Sequence, residues 1–104
     1  GMAPVLQIGR MSVPAEVDAE WNAWYSGEYV PGYRKVPGVL YARRYRVIEG
    51  TSGYSTVYEF ASTAVPESPE WKEQQQHSSP HSPRMRQAMT HAPGSAGVYV
   101  RVHP

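Results

Sequence analysis

No cysteine occurs among the 104 residues, which excludes a disulfide framework and any thiolate metal site. No apolar run approaches the ~20 residues that a membrane-crossing helix needs. Charge of one sign is also missing. A formal net charge of +1 gives no field that would gather nucleic acid or an anionic membrane surface. The first residues, Gly1-Met2-Ala3-Pro4, lack the charged and apolar regions of a secretory signal, and Gly1 before Met2 reads as the scar of tag removal. Residues 2–104 are therefore expected to form one domain, with the cytoplasm as its compartment. Phosphate-loop, dinucleotide, G-x-S-x-G and H-E-x-x-H signatures are all absent.

Phenylalanine is nearly missing too, and that absence is informative. One phenylalanine stands against eight tyrosines and three tryptophans. A buried phenol needs a hydrogen-bond partner, so an ordinary core prefers phenylalanine. This many amphipathic rings point to surfaces that are half dry and half wet, such as a pocket or a subunit interface.

Ten prolines and nine glycines punctuate the chain into short elements. Residues 5–13 (VLQIGRMSV) read as a first strand. Pro14 and Glu16 suit the start of a helix, and Val17, Trp21, Trp24, Tyr25 and Glu28 follow at helical spacing. Pro31-Gly32 is expected to end that helix, and Val36-Pro37-Gly38 to turn the chain into the next strand. Residues 39–48 and 54–61 read as a hairpin around the loop 49–53. Ser68-Pro69 opens a second helix, which Pro80 and Pro83 must break into pieces at 71–77 and 84–91, with Ser82 capping the later piece. Residues 98–102 (VYVRV) form the last strand.

This βαββαβ order predicts an α+β, ferredoxin-like sandwich: a four-stranded antiparallel sheet with helices on one face. Strand alternation puts Tyr41, Arg43 and Tyr45 on one side of the second strand and Tyr54, Tyr58 and Phe60 on one side of the third. Tyr99, Arg101 and His103 share a side of the last strand. Whichever side meets the helices, the other is too aromatic to stay bare, and a second copy of the sheet is the simplest cover.

The run Trp24-Tyr25, Glu28-Tyr29 and Pro31, then Val36-Pro37-Gly38, Ala42-Arg43-Arg44-Tyr45 and Tyr58-Glu59, resembles small dimeric α/β-barrel proteins near the EthD-like family. The resemblance spans about residues 5–71. It implies a homodimer whose two sheets stack into a shared barrel, on a fold whose relatives include cofactor-free oxygenases, isomerases and cyclases. Where the family pattern carries a histidine after the glutamate, this chain has Tyr29, a poor base by comparison.

The site expected from this reading takes a small aromatic molecule without a cofactor. Glu28 and Tyr29 are the candidate catalytic groups, and Glu28 is expected to pair with Arg43 or Arg44. Trp24, Tyr25, Arg43, Arg44, Tyr45, Tyr58, Tyr99 and Arg101 are the candidate ligand contacts, with an arginine holding an oxyanion. Adjacent in a strand, Arg43 and Arg44 must face opposite ways. The alternative is a non-catalytic module for small-molecule binding or dimerisation. His77 and His81 have metal-ligand spacing, but Pro80 lies between them and no third ligand is evident, so no metal is expected. Haem would need an axial histidine, and His91, read as helix-borne, is a weak candidate.

Overall fold

The structure, a computed structural model, describes residues 4–50, 53–76 and 82–103. Strand β1 (Val5–Ser12) leads into a short 3-10 turn and helix α1 (Asp18–Trp24), then a π-turn (Tyr25–Tyr29) and helix α2 (Val30–Arg34). Strands β2 (Val39–Arg46) and β3 (Tyr54–Phe60) make the hairpin. Helices α3 (Pro69–Gln76) and α4 (Ser82–Ala88) follow, and then strands β4 (Thr90–His91) and β5 (Gly97–Val100).

The sheet order is β2-β3-β1, with β4 and β5 sharing the far edge of β1, all antiparallel. This is the ferredoxin-like order expected, with one difference. The last strand is split: β4 pairs with Met11 and Ser12, whereas β5 pairs with residues from Val5 to Ile8. His91 therefore sits on a strand, not on the helix expected over 84–91. The His77 and His81 pair lies outside the described residues.

The first helix also departs from expectation, because Pro31-Gly32 does not end it. The Val30 N–H reaches back five residues to the Tyr25 carbonyl, and the widened turn carries the helix past Pro31 to Arg34. Proline lacks the donor that a regular α-turn would use and crowds the carbonyl four residues back, so a locally wide turn relieves both problems. The turn has a second effect. Trp21, Tyr25, Tyr29 and Tyr33 recur every four residues, a spacing that drifts around a helix with 3.6 residues per turn. The wide turn absorbs the drift, and successive rings stay in contact at 4.7, 4.7 and 5.0 Å between centroids.

The core lies between these helices and one face of the sheet. One cluster gathers Val5, Tyr33, Val36, Tyr58, Phe60, Val65 and Trp71; the other gathers Met11, Trp21, Trp24, Tyr25, Val30 and Met85. Gly38 turns the chain into β2 at φ +89°, a conformation only glycine adopts at ease, and its carbonyl accepts the Ala61 N–H at 2.8 Å. Tyr54, Thr56, Tyr58 and Phe60 face the helices. Tyr41, Arg43 and Tyr45 occupy the opposite, open face, in register with Glu59, Val57 and Ser55 of β3. Tyr99 joins that open face through its pairing with Leu6.

Candidate functional site

A cavity of about 240 Å³ lies between the sheet and the helical layer. Its floor comes from β1 and β3 through Gln7, Gly9, Met11, Thr56 and Tyr58, and its roof from Tyr25, Tyr29, Tyr33 and Trp71. Gln75, His91, Ser95 and Ala96 complete the wall. The space exists partly because β1 carries glycine at position 9: a Cβ there would sit 3.3 Å from the Met11 Cε and 3.7 Å from the Ser95 Oγ.

Four phenols converge on this cavity. The Tyr25 hydroxyl accepts a hydrogen bond from Thr56 Oγ1 at 3.3 Å, and the Tyr29 and Tyr33 hydroxyls share one at 3.3 Å. Tyr33 packs on Trp71 at 4.5 Å and on Tyr58 at 5.5 Å between ring centroids. The Tyr58 hydroxyl is buried and, among the described residues, has no hydrogen-bond partner. Its oxygen comes near enough to Tyr25 for each phenol to influence the other's ionisation, without the geometry of a hydrogen bond. Burial pushes the Tyr25 phenol up to about 12. Burial likewise raises Tyr33 and Tyr58, and the neighbouring phenols raise them further. These groups are neutral hydrogen-bonding walls at ordinary pH.

One imidazole stands at the mouth. The exposed His91 has its Nδ1 3.2 Å from the Ser95 Oγ, and that oxygen accepts the Arg10 backbone N–H at 2.9 Å. Beyond it an outer cleft of about 440 Å³ runs between Arg10, Ser12, Glu49, Tyr54 and Thr90. Met11 and His91 line both hollows, so they mark the junction between inner cavity and outer cleft.

The residues singled out in the sequence divide among three places. Tyr25, Tyr29 and Tyr58 line the cavity, while Trp24 is buried in the core beneath α1. Glu28 is exposed and borders a separate surface depression with Glu20, Ala23, Trp24 and Met85. The expected pairing of Glu28 with an arginine is replaced by other contacts. Arg43 Nη1 donates to Glu59 Oε2 at 2.6 Å on the open face. Arg44, on the helix side, donates to Ser26 Oγ at 2.6 Å and Asn22 Oδ1 at 2.8 Å, and its guanidinium lies over the Trp21, Tyr25 and Tyr54 rings. Partial burial lowers the Arg44 pKa. Neither arginine lines the cavity, so the wall offers no guanidinium for an oxyanion. Tyr45, Tyr99 and Arg101 are exposed, the first two on the open sheet face. Among the described residues no group of three or more His, Asp or Glu side chains could hold a metal.

Sequence reasoning missed Gln7, Tyr33, Thr56, Trp71 and His91 as members of the site. The signal for Tyr33 was present in the four-residue repeat of Trp21, Tyr25, Tyr29 and Tyr33, hidden by the reading of Pro31-Gly32 as a stop. His91 carried none, because its place at the mouth depends on the interruption between β4 and β5.

Neither protein-family signatures nor curated protein sequences match the chain. Solved structures do resemble it. SnoaB, a cofactor-independent oxygenase from Streptomyces nogalater, aligns with TM-score 0.69 at 14% identity over 96% of this chain and 94% of its own. MhuD, a haem degrader from Mycobacterium tuberculosis with two haems bound in its active site, aligns with TM-score 0.67 at 20% identity, covering 97% and 98%. An EthD family protein from Bacillus halodurans aligns with TM-score 0.62 at 11% identity, covering 94% and 99%. At these identities the likeness establishes the ferredoxin-like α+β fold.

Proposed function

We propose that the protein is a cofactor-independent oxygenase acting on a small planar hydroxyaromatic molecule held in the phenol-lined cavity. The observation that carries this reading is the buried Tyr58 hydroxyl, which has no hydrogen-bond partner among the described residues although it borders an open space. An unsatisfied buried hydroxyl costs about 1–3 kcal/mol, so a ligand oxygen placed beside it recovers that cost on binding. Aromatic walls supply the stacking surface and the neutral phenols orient the ligand's own hydroxyl. The volume lies just below the ~300 Å³ at which ligand pockets usually begin, which suits roughly two fused rings. The fold shared with SnoaB supports the choice of reaction class by analogy.

The chemistry needs only dioxygen as oxidant. Loss of the hydroxyl proton makes the ring electron-rich, and one electron passes to dioxygen. The two radicals join at the ring carbon para to the oxygen, and the hydroperoxide so formed loses water. With 1-naphthol the balance is naphthol plus dioxygen giving 1,4-naphthoquinone plus water. The protein's part is to orient the ring, hold the phenolate oxygen and exclude bulk water. Incubating the protein with 1-naphthol tests this: a rise in melting temperature together with oxygen uptake and quinone formation is expected. Binding without oxygen uptake would favour the non-catalytic binding module, and absence of both would remove the cavity from consideration.

We propose further that the open sheet face meets a second copy, stacking two sheets into a barrel. Tyr41, Tyr45 and Tyr99 are each about half exposed on a face that the helices leave uncovered. Among the described residues no helix is long and apolar enough to cross a membrane, and the absence of cysteine suits a reducing compartment such as the cytoplasm.

A further inference from the structure

The reaction outlined above begins with loss of a hydroxyl proton, and the cavity wall is poor in groups that could take it. Burial holds the Tyr25, Tyr33 and Tyr58 phenols in the neutral form, and the Tyr29 hydroxyl is bonded to that of Tyr33. Its amides, from Gln7 and Gln75, its indole, from Trp71, and its hydroxyls, from Thr56 and Ser95, are not bases at ordinary pH. Glu28, the carboxylate that the sequence suggested, lies outside the cavity. Among the described lining residues, the remaining candidate is an imidazole, whose neutral ring carries one nitrogen lone pair free to accept a proton.

We propose that His91 is the proton acceptor of the cavity, taking the hydroxyl proton of a bound phenol, and that Ser95 is its positioning residue. This rests on the reading of the cavity as a hydroxyaromatic site. The split of the last strand brings the two residues together: β4 fixes His91 against Met11, and the connection to β5 returns Ser95 beside it. The Ser95 oxygen already accepts the Arg10 N–H at 2.9 Å and has a second lone pair for the imidazole. An imidazole that donates its Nδ1–H to Ser95 keeps the lone pair on Nε2. In the transfer the phenol O–H bond breaks with its electrons left on oxygen, and an Nε2–H bond forms. The product is an imidazolium beside a phenolate, whose oxygen the neutral phenols of the inner cavity can stabilise as donors. The other titratable groups around His91 are Tyr25, Tyr29, Tyr33 and Tyr58 in the inner cavity, and Arg10, Glu49 and Tyr54 in the outer cleft.

The role can be read without turnover. The probe is 4-nitrophenol, whose phenolate is coloured and whose electron-poor ring resists giving an electron to dioxygen. An opposite charge within hydrogen-bonding range moves an ionisation by about one to three pKa units. The bound dye should therefore ionise at lower pH in the parent protein than in His91→Gln, with an ionisation constant at least about tenfold larger. Ser95→Ala keeps the imidazole and loses its anchor, so it should fall between the two. His91 is exposed, so His91→Gln should keep the parent's circular dichroism and melting temperature, whereas Ser95→Ala also removes the acceptor of the Arg10 N–H and should melt slightly lower with unchanged circular dichroism. Equal ionisation of the bound dye in the parent and His91→Gln would overturn the assignment and leave the cavity reading intact. Failure of the parent to bind 4-nitrophenol would overturn both. Dye ionisation that depends on His91, in a protein that does not oxidise 1-naphthol, would support the assignment and remove only the oxygenase step.

Discussion

At the residue scale the phenols do two things at once: they fill a core and they border a space. Tyr58 shows the conflict most plainly, because its ring is buried against Tyr33, Trp71 and Phe60 while its hydroxyl has no hydrogen-bond partner among the described residues. Tyr58→Phe should therefore leave stability unchanged or raise it by up to about 1–3 kcal/mol, the cost of a buried orphan hydroxyl. The same change should weaken 1-naphthol binding by about two- to tenfold, the worth of one net hydrogen bond. Urea denaturation and a binding titration on one preparation check both signs. A loss of stability together with unchanged binding would mean that the hydroxyl belongs to the core and not to the cavity. The raised phenol pKa values also fix how the fold responds to alkali. A phenol that ionises at ~10 in the unfolded chain and at about 12 in the folded one, as Tyr25 does, favours folding fully below pH ~10. That contribution is lost as pH rises from ~10 through 12, and for Tyr25 alone it amounts to about 2–3 kcal/mol. Tyr33 and Tyr58 are shifted in the same direction and add to the loss. Stability followed by circular dichroism should stay level from neutral pH to about 10 and then fall, and the fall should be smaller in Tyr25→Phe. An equal fall in the parent and the variant would show that the buried Tyr25 phenol does not set the response to alkali.

At the scale of elements, alternation and turn chemistry in the sequence were enough for the order of strands and helices and for the hairpin. They were enough because each depends on neighbours in the chain: Gly38 must turn, and β3 must alternate. What stayed hidden depends on geometry between elements. Pro31 is a helix breaker by local rules, yet the five-residue hydrogen bond from Val30 to Tyr25 carries the helix through it. With that helix cut short, Tyr33 fell outside the aromatic stripe, and Glu28 looked like the polar end of an element that in fact continues. Arg43 and Arg44 were rightly separated to opposite faces, but their partners, Glu59 for one and Ser26 with Asn22 for the other, follow from register and could not be read locally. The aromatic stripe gives the element-scale prediction. Trp21→Ala empties a fully buried position at its head and should cost about 3–5 kcal/mol. Urea denaturation checks it, and a variant that melts with the parent would show that the stripe contributes nothing to stability.

At the scale of the whole molecule, the unresolved balance is between the two faces of one sheet. The helix face is closed by Trp21, Trp71, Phe60 and their neighbours, whereas the open face carries cross-strand rows that mix rings, aliphatics and charge. One row runs Tyr41, Glu59, Leu6 and Tyr99, and the next runs Arg43, Val57, Ile8 and Gly97. The Arg43–Glu59 ion pair links the two rows, while Arg10 extends the row of Tyr45 and Ser55 as a further cation. A face of this kind suits its own copy related by a two-fold axis: rings meet aliphatic surface, and the paired charges of Arg43 and Glu59 need no partner across the axis. An obligate contact between two such faces buries on the order of 2,000 Å² in total. Sedimentation at micromolar concentration should therefore find a dimer, and Tyr45→Glu combined with Tyr99→Glu should convert it to monomer by setting like charges across the axis. The cavity lies on the other side of the sheet, so the monomeric variant gives a sharper test than assembly alone. If the sheet is rigid without its partner, the variant should bind 1-naphthol with unchanged affinity. If the second copy braces β1 and β3 from behind, affinity should fall along with the melting temperature. A parent protein that sediments as a monomer would refute the stacked barrel outright, and would leave Tyr41, Tyr45 and Tyr99 as a surface that faces water.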